Sequence, residues 1–192
     1  VGFKALQGGA LYTDGSSNDS AAVRVEQNSN TKTTYGVAYI AAAFAFAGDW
    51  VVIGGSATKT IKVLRIEIAG VATAALDVDL SIEKRSTADT AGTKISANTV
   101  IAYDSTNAGV TGTVDAYSAV PTAGTLVGIL AAKKFQAAAA GGQATPIVFD
   151  WNTASQGQPP VLRGTTQQLA LKGSASIGAG GSANVFVIFT EE

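Results

Sequence analysis

The chain contains no cysteine, no histidine and no methionine among its 192 residues. Without Cys, neither disulfides nor thiolate metal sites can form. Without His, the commonest general base and the commonest metal ligand are both missing. A serine nucleophile would need a lysine to activate it. Charge is also scarce. Asp, Glu, Lys and Arg make up 14% of the residues, against about 25% in an average soluble protein. Thirteen basic and 14 acidic side chains leave a net charge of −1. Basic patches are absent, so nucleic acid is not an expected partner. The longest apolar run, GVAYIAAAFAFAG at 36–48, is too short to span a bilayer. The start, VGFKALQGG, lacks the charged and apolar regions of a signal peptide. A membrane is therefore not expected either.

What the chain does have is an abundance of Ala, Gly, Ser and Thr. A freely diffusing protein usually carries more charge to stay soluble, so this composition suits a surface covered by neighbours. A chain of this length buries roughly 70% of its unfolded surface and needs no covalent staple.

The first 48 residues differ from the rest. LQGGALYTDGSSNDSAAVRVEQNSNTKTTYG has widely spaced apolar residues among turn formers. It predicts an extended N-terminal arm, with one short strand over Ala22–Gln27. The apolar segment that ends the arm contains Tyr39, Phe44 and Phe46. It reads either as a core strand or short helix, or as a surface that packs on a partner subunit.

From Asp49 onward the pattern becomes regular and predicts a β domain over 49–192. In KTIKVLRIEIAG, Ile61 and Val63 share one parity while Leu64, Ile66 and Ile68 share the other. Strand side chains alternate with period two, so the slip predicts a bulge near Val63. In ALDVDLSIEKRST, Leu76, Val78, Leu80 and Ile82 alternate strictly with Asp77, Asp79, Ser81 and Glu83, the mark of a strand with one buried face. Further strands are expected within 99–105, 112–120, 125–135, 145–152, 160–164, 167–173 and 183–192, separated by Gly- and Pro-containing turns. A helix could hide only in AGTLVGILAAKKFQAAAA. Many short strands at this spacing define an all-β protein, expected to be an antiparallel, jelly-roll-like β-sandwich. Trp151, in phase with Ile147 and Phe149, is the expected core anchor, and Trp50 is expected to cap one end.

The candidate sites are few. Asp77, Asp79 and Glu83 read as the wet face of a strand, or as part of a cation site that a neighbouring subunit completes. They lack the glycine turn of a calcium loop, and carboxylates on one extended strand do not converge. Lys84 and Arg85 sit together at a strand end and suit an acidic partner surface. Arg163, after Pro159 and Pro160, is placed to pair with Asp150 or to enter an interface. SIGAGGSAN reads as a hairpin loop, since no helix follows to hold a phosphate. No G-x-S-x-G is present. The expected protein is not an enzyme and carries no cofactor or metal. A carbohydrate-binding module is the weaker alternative, because the aromatics lie mostly within alternating strands.

Several stretches carry a resemblance: GGSATKTIKVLRIEIAGVAT, VDLSIEKRSTADTAGT, PTAGTLVG, PIVFDWN, PVLRGTTQQLAL and the terminal FTEE. Together they resemble small virion-associated structural proteins of tailed bacteriophages, over residues 50–192. The resemblance implies a decoration or cement protein on the outer surface of the head. Its partners would be the major capsid protein and copies of itself, with a homotrimer suited to local three-fold junctions. The arm would attach it to the particle. A tail or fibre component that binds a receptor or carbohydrate is the alternative. Tyr39, Phe44, Phe46, Lys84, Arg85 and Arg163 are the expected interface residues.

One expectation tests the acidic strand directly. The melting temperature of the unmutated chain should not respond to calcium or EDTA, and a large metal-dependent shift that Asp79→Ala abolishes would restore the cation site.

Overall fold

The computed structural model describes residues 3–5, 11–13, 32–95, 99–151 and 158–192. The chain forms two units, Val1–Thr31 and Lys32–Glu192. In the first, β1 (Phe3–Ala5) pairs antiparallel with β2 (Leu11–Thr13), and Phe3 lies opposite Thr13. The strand expected over 22–27 falls outside the described residues.

The second unit contains β3 (Thr33–Ala42), β4 (Gly48–Gly54), β5 (Ile61–Ala72), β6 (Leu76–Arg85), β7 (Thr93–Lys94) and β8 (Ile101–Ala102). They are followed by β9 (Thr113–Ala119), β10 (Leu126–Ala139), β11 (Ile147–Asp150), β12 (Val161–Leu162), β13 (Gln168–Gly173) and β14 (Ser182–Glu191). No helix occurs among the described residues. All twelve strands belong to one curled, mixed sheet in the order β7-β9-β4-β13-β6-β10-β5-β14-β3-β8, with β11 and β12 also on β5. The pairing is antiparallel except between β10 and β5, which run parallel through Ala138–Val71 and Ala139–Ala72 alone. The all-β class expected from the turn spacing is therefore what the chain adopts. The segment that could have been helical is β10, a strand of 14 residues.

Part of the segment assigned to the arm belongs to the second unit. Residues 33–42 form β3, which pairs with β14 from Ala42–Ala183 to Thr33–Glu191. The boundary lies at 31/32, not 48. Alternation explains why: Tyr35, Val37 and Tyr39 are buried on one side of β3 while Ala38 and Ile40 are exposed. Tyr35 stacks on Phe189, with centroids 5.5 Å apart, and its hydroxyl donates to Ala108 O at 2.7 Å. Tyr39 reaches from β3 to β9 and donates its hydroxyl to Val114 O at 2.6 Å.

The core lies between the two halves of the curl. Trp50, Ile53, Leu80, Ile82, Phe135 and Leu171 meet Tyr35, Ile61, Ile66, Ile68, Val187 and Phe189 in one cluster. Trp50 is completely buried and stacks flat on Phe44, with centroids 4.8 Å apart and planes 3° from parallel. Its Nε1 donates to Phe46 O at 2.9 Å. A Cβ at Gly173 would stand 2.2 Å from Trp50 Cζ2, so only glycine allows that strand end to pass the indole. Trp151 is only partly buried and stacks on Phe149 at the margin. Trp50, expected to cap one end, thus lies in the core, and Trp151, expected as the core anchor, packs partly buried against it.

The slip in β5 is a bulge at Leu64. Phe189 lies opposite Val63 and Ile188 opposite Arg65, which leaves Leu64 as the extra residue. The bulge resets the phase, so Ile61, Val63, Ile66 and Ile68 all point into the core. Leu64 O, turned out of the β14 ladder, accepts from Trp151 N at 2.8 Å.

The last two residues close the structure. Glu191 is buried and accepts from Thr111 N at 2.8 Å and Gly112 N at 2.7 Å, with Lys59 Nζ at 3.6 Å. Glu192 bridges Lys32 at 2.8 Å and Lys62 at 2.5 Å. These two donors hold its carboxyl below the usual glutamate range.

The corrected boundary makes a prediction. Deleting residues 1–31 should leave a cooperatively folding domain. Deleting 1–48 removes β3 and the Phe44–Trp50 stack, and should abolish the thermal transition. A folded 49–192 fragment by circular dichroism and calorimetry would contradict this.

Candidate functional site

The described residues hold two features beyond ordinary packing. One is a group of buried charges. The other is an exposed apolar rim.

The charges lie on the side of the sheet turned away from the main core. β13 runs between β4 and β6, with Ala170 opposite both Val52 and Glu83, and Gln168 opposite Arg85. Period two then puts Val52, Ala170, Glu83 and Arg85 on one face. Val52, Ala170 and Tyr117 form a small apolar cluster there, with Phe46 packed against it. The chain beyond β6 folds back to pair with the segment before β10. Ser86 N donates to Thr125 O at 2.9 Å, and Thr90 and Thr122 exchange backbone bonds of 2.9 and 2.7 Å. This flap brings Asp89 to Arg85.

Arg85, only 3% exposed, is the hub. Its Nη2 donates to Asp49 Oδ1 at 2.8 Å and to Glu83 Oε2 at 2.7 Å, and its Nη1 donates to Gly124 O at 3.0 Å. Its Nε lies 3.6 Å from Asp89 Oδ1. Asp89 in turn accepts from Gly124 N at 2.9 Å, and its own N–H donates to Gln168 Oε1 at 2.7 Å. Lys172 Nζ stands 3.2 Å from Glu83 Oε1.

Three carboxylates therefore face one guanidinium and one half-exposed ammonium. Asp49 Oδ2 lies 2.8 Å from Arg85 Nη2 without accepting an aligned hydrogen bond, and Asp89 Oδ2 is buried without a partner. A proton on one of these acids relieves the surplus charge and supplies a donor to a buried oxygen. Burial first, then the adjacent Asp89 carboxyl, push Asp49 up to about 6 against the opposing pull of Arg85. The Tyr117 hydroxyl is pushed up to about 12 by burial first, then by Asp115, and after it by Asp89 and Asp49 of the cluster. The cluster clamps flap to sheet. Among the described residues, no group of three or more acidic, His or Cys side chains could hold a metal ion.

The expected interface residues fare unequally. Tyr39, Phe44 and Arg85 are 2%, 0% and 3% exposed in the single chain. Their atoms are spent on its own core and charge cluster, so none can face a partner. Phe46 is half-buried against Trp50 and the small cluster. Lys84 turns inward and donates to Val161 O at 3.0 Å. Arg163 is exposed, and its side chain makes no ion pair among the described residues, so it does not meet Asp150. The acidic strand also divides. Asp77 and Asp79 are exposed, and Asp79 pairs with Lys134 at 2.8 Å. Glu83, on the same face, passes beneath the flap and is buried.

The rim was not singled out by its sequence. Leu126, Val127, Ile129 and Leu130, at the start of β10, are 49%, 62%, 59% and 48% exposed. The signal lay in LVGIL: five uncharged residues without alternation, within a stretch from Ala116 to Ala132 that carries no charge at all. A second apolar surface flanks β3. Its bulge, with Ala41 at φ 53° and its N–H on Asn184 Oδ1, leaves Ile40 exposed beside Ile101 and Tyr103 around an open groove of about 530 Å³.

No family model, no curated protein and no solved structure matches the chain.

The clamp sets a pH dependence. Asp49's value in the folded chain lies above its ordinary one, so folding takes up a proton between about pH 4 and 6. The stabilisation is complete below about pH 4 and disappears as the pH rises through 6. It is worth on the order of 2–3 kcal/mol. Asp49→Asn lacks this pH-dependent part, so the wild-type-minus-variant difference in unfolding free energy should fall as the pH rises from 4.5 to 7.5. Arg85→Met leaves three carboxylates with only the half-exposed Lys172 and should cost about 3–5 kcal/mol. Denaturant titrations at pH 4.5 and 7.5 check both.

Proposed function

We propose that this protein is a non-enzymatic structural component of a bacteriophage virion: a decoration or cement protein that binds the major capsid protein on the outer head surface. The observation that carries the reading is the apolar rim at Leu126–Leu130 on a chain so poor in charge. Four large side chains held half in water cost solubility unless a neighbour covers them. Covering them contributes about 25 cal/mol per Å², and a shell multiplies that over many copies. The likeness of residues 50–192 to virion-associated proteins points the same way. A jelly-roll-like sandwich is the fold that belongs to this reading, supported by the single core shared between the two halves of the curl. Residues 1–31 are the proposed attachment segment. The proposed partners are the capsid subunit and other copies of this chain, with a trimer suited to three-fold junctions.

The test is copy number per purified virion, measured by mass spectrometry against the major capsid protein. About one copy per capsid subunit is the expected result. A handful of copies would overturn decoration and favour a tail or fibre component.

A further inference from the structure

We propose that the β10 rim is a two-fold contact between copies of this chain, with Leu126–Leu130 of one molecule packed on the same residues of a second. This deepens the reading above and rests on only one part of it, that the rim is an interface.

The strand is open where the rim lies. β6 occupies one edge of β10. On the other edge β5 meets only Ala138 and Ala139, and β11 and β12 take the rest of the β5 edge on that side. From Leu126 to Ala137 the second edge thus carries no strand among the described residues. Two register shifts, between Leu126 and Gly128 and between Ile129 and Ala131, leave Val127 and Leu130 with no opposite number on β6. Such bulges bend a strand and re-aim its side chains. They disfavour a long ladder across molecules, and the contact proposed is side-chain packing.

Charge selects the occupant. A two-fold interface sets a patch against itself, so any charge in it meets its own kind nearby. Ala116 to Ala132 contain none. The first charges beyond are already engaged within the chain. Lys133 Nζ donates to Val148 O at 2.6 Å and lies 5.4 Å from the Phe149 ring centre. Lys134 pairs with Asp79 at 2.8 Å. An antiparallel approach about Gly128 sets Leu126 against Leu130 and Val127 against Ile129. Gly128 has open space where a Cβ would be, so nothing blocks that approach. Four side chains bury less than the roughly 800 Å² per partner of a standard interface, so the pairing is concentration-dependent. A two-fold rim contact cannot by itself close a trimer, which would need a second surface.

The experiment uses the full chain in two measurements. Sedimentation velocity over roughly 5–500 μM should show a monomer–dimer equilibrium, and Ile129→Glu should weaken it at least tenfold. Because the chain has no cysteine, Gly128→Cys, which the two-fold sets against its own copy, should oxidise to a linked dimer. Ile40→Cys, on the other apolar surface, should not. Ile129 is exposed and Gly128 has open space for a Cβ, and unchanged circular dichroism confirms that the variants fold. A wild-type chain that stays monomeric throughout would overturn the proposal. So would an oligomer that Ile129→Glu leaves intact, or Gly128→Cys cross-linking no faster than Ile40→Cys. These outcomes are independent of virion copy number, which tests the decoration role separately.

Discussion

Burial between the two halves of the sheet, rather than hydrogen bonding along it, holds the curl closed. Among the described residues only two pairs, Ala138–Val71 and Ala139–Ala72, join the halves by a ladder. Against that stands a continuous cluster in which Trp50, Leu80 and Phe135 from one half meet Ile66, Val187 and Phe189 from the other. Bulges serve this arrangement. At Leu64 the extra residue restores the phase of β5 so that Ile61, Val63, Ile66 and Ile68 all reach the core. Without it, Ile66 and Ile68 would face away from the core.

The charge cluster answers a different need. The flap that carries Asp89 has only a small apolar patch beneath it, too little to hold it by burial alone. Directional bonds from one guanidinium to Asp49, Glu83 and the Gly124 carbonyl fix it instead. A buried ion group of this kind gives position more than net stability. Its three acids come from β4, β6 and the flap itself, so the cluster exists only when all three are in place.

Local alternation was fully legible. β6 reads off the sequence because Val78, Leu80 and Ile82 have one dry face and Asp77 and Asp79 one wet face. β3 was harder to read. Its apolar residues include Ala38 and Ala42, small enough to suit an arm, a helix or a strand, and only pairing with β14 decides among them. The charge cluster was invisible in principle. Asp49 and Asp89 stand 36 and 4 residues from Arg85 in the chain, and nothing local distinguishes them from solvated acids. Glu83 misled for the same reason, since a strand's parity names its face but not what lies over it. The rim left a trace in its missing alternation, but the stretch read only as a strand or a possible helix, because nothing in the sequence shows which side chains a sheet leaves uncovered.

The ion pair between Lys32 and Glu192 puts the two ends of the main unit side by side. The strands leading away from them, β3 and β14, are antiparallel neighbours that begin with Thr33 opposite Glu191. Tension applied between those ends loads this pair like a zipper, one hydrogen bond at a time. Tension carried along β10 instead loads its whole ladder with β6 at once, in shear. The unit is thus mechanically anisotropic: soft when pulled apart at its termini, and stiff along the strand that bears the rim.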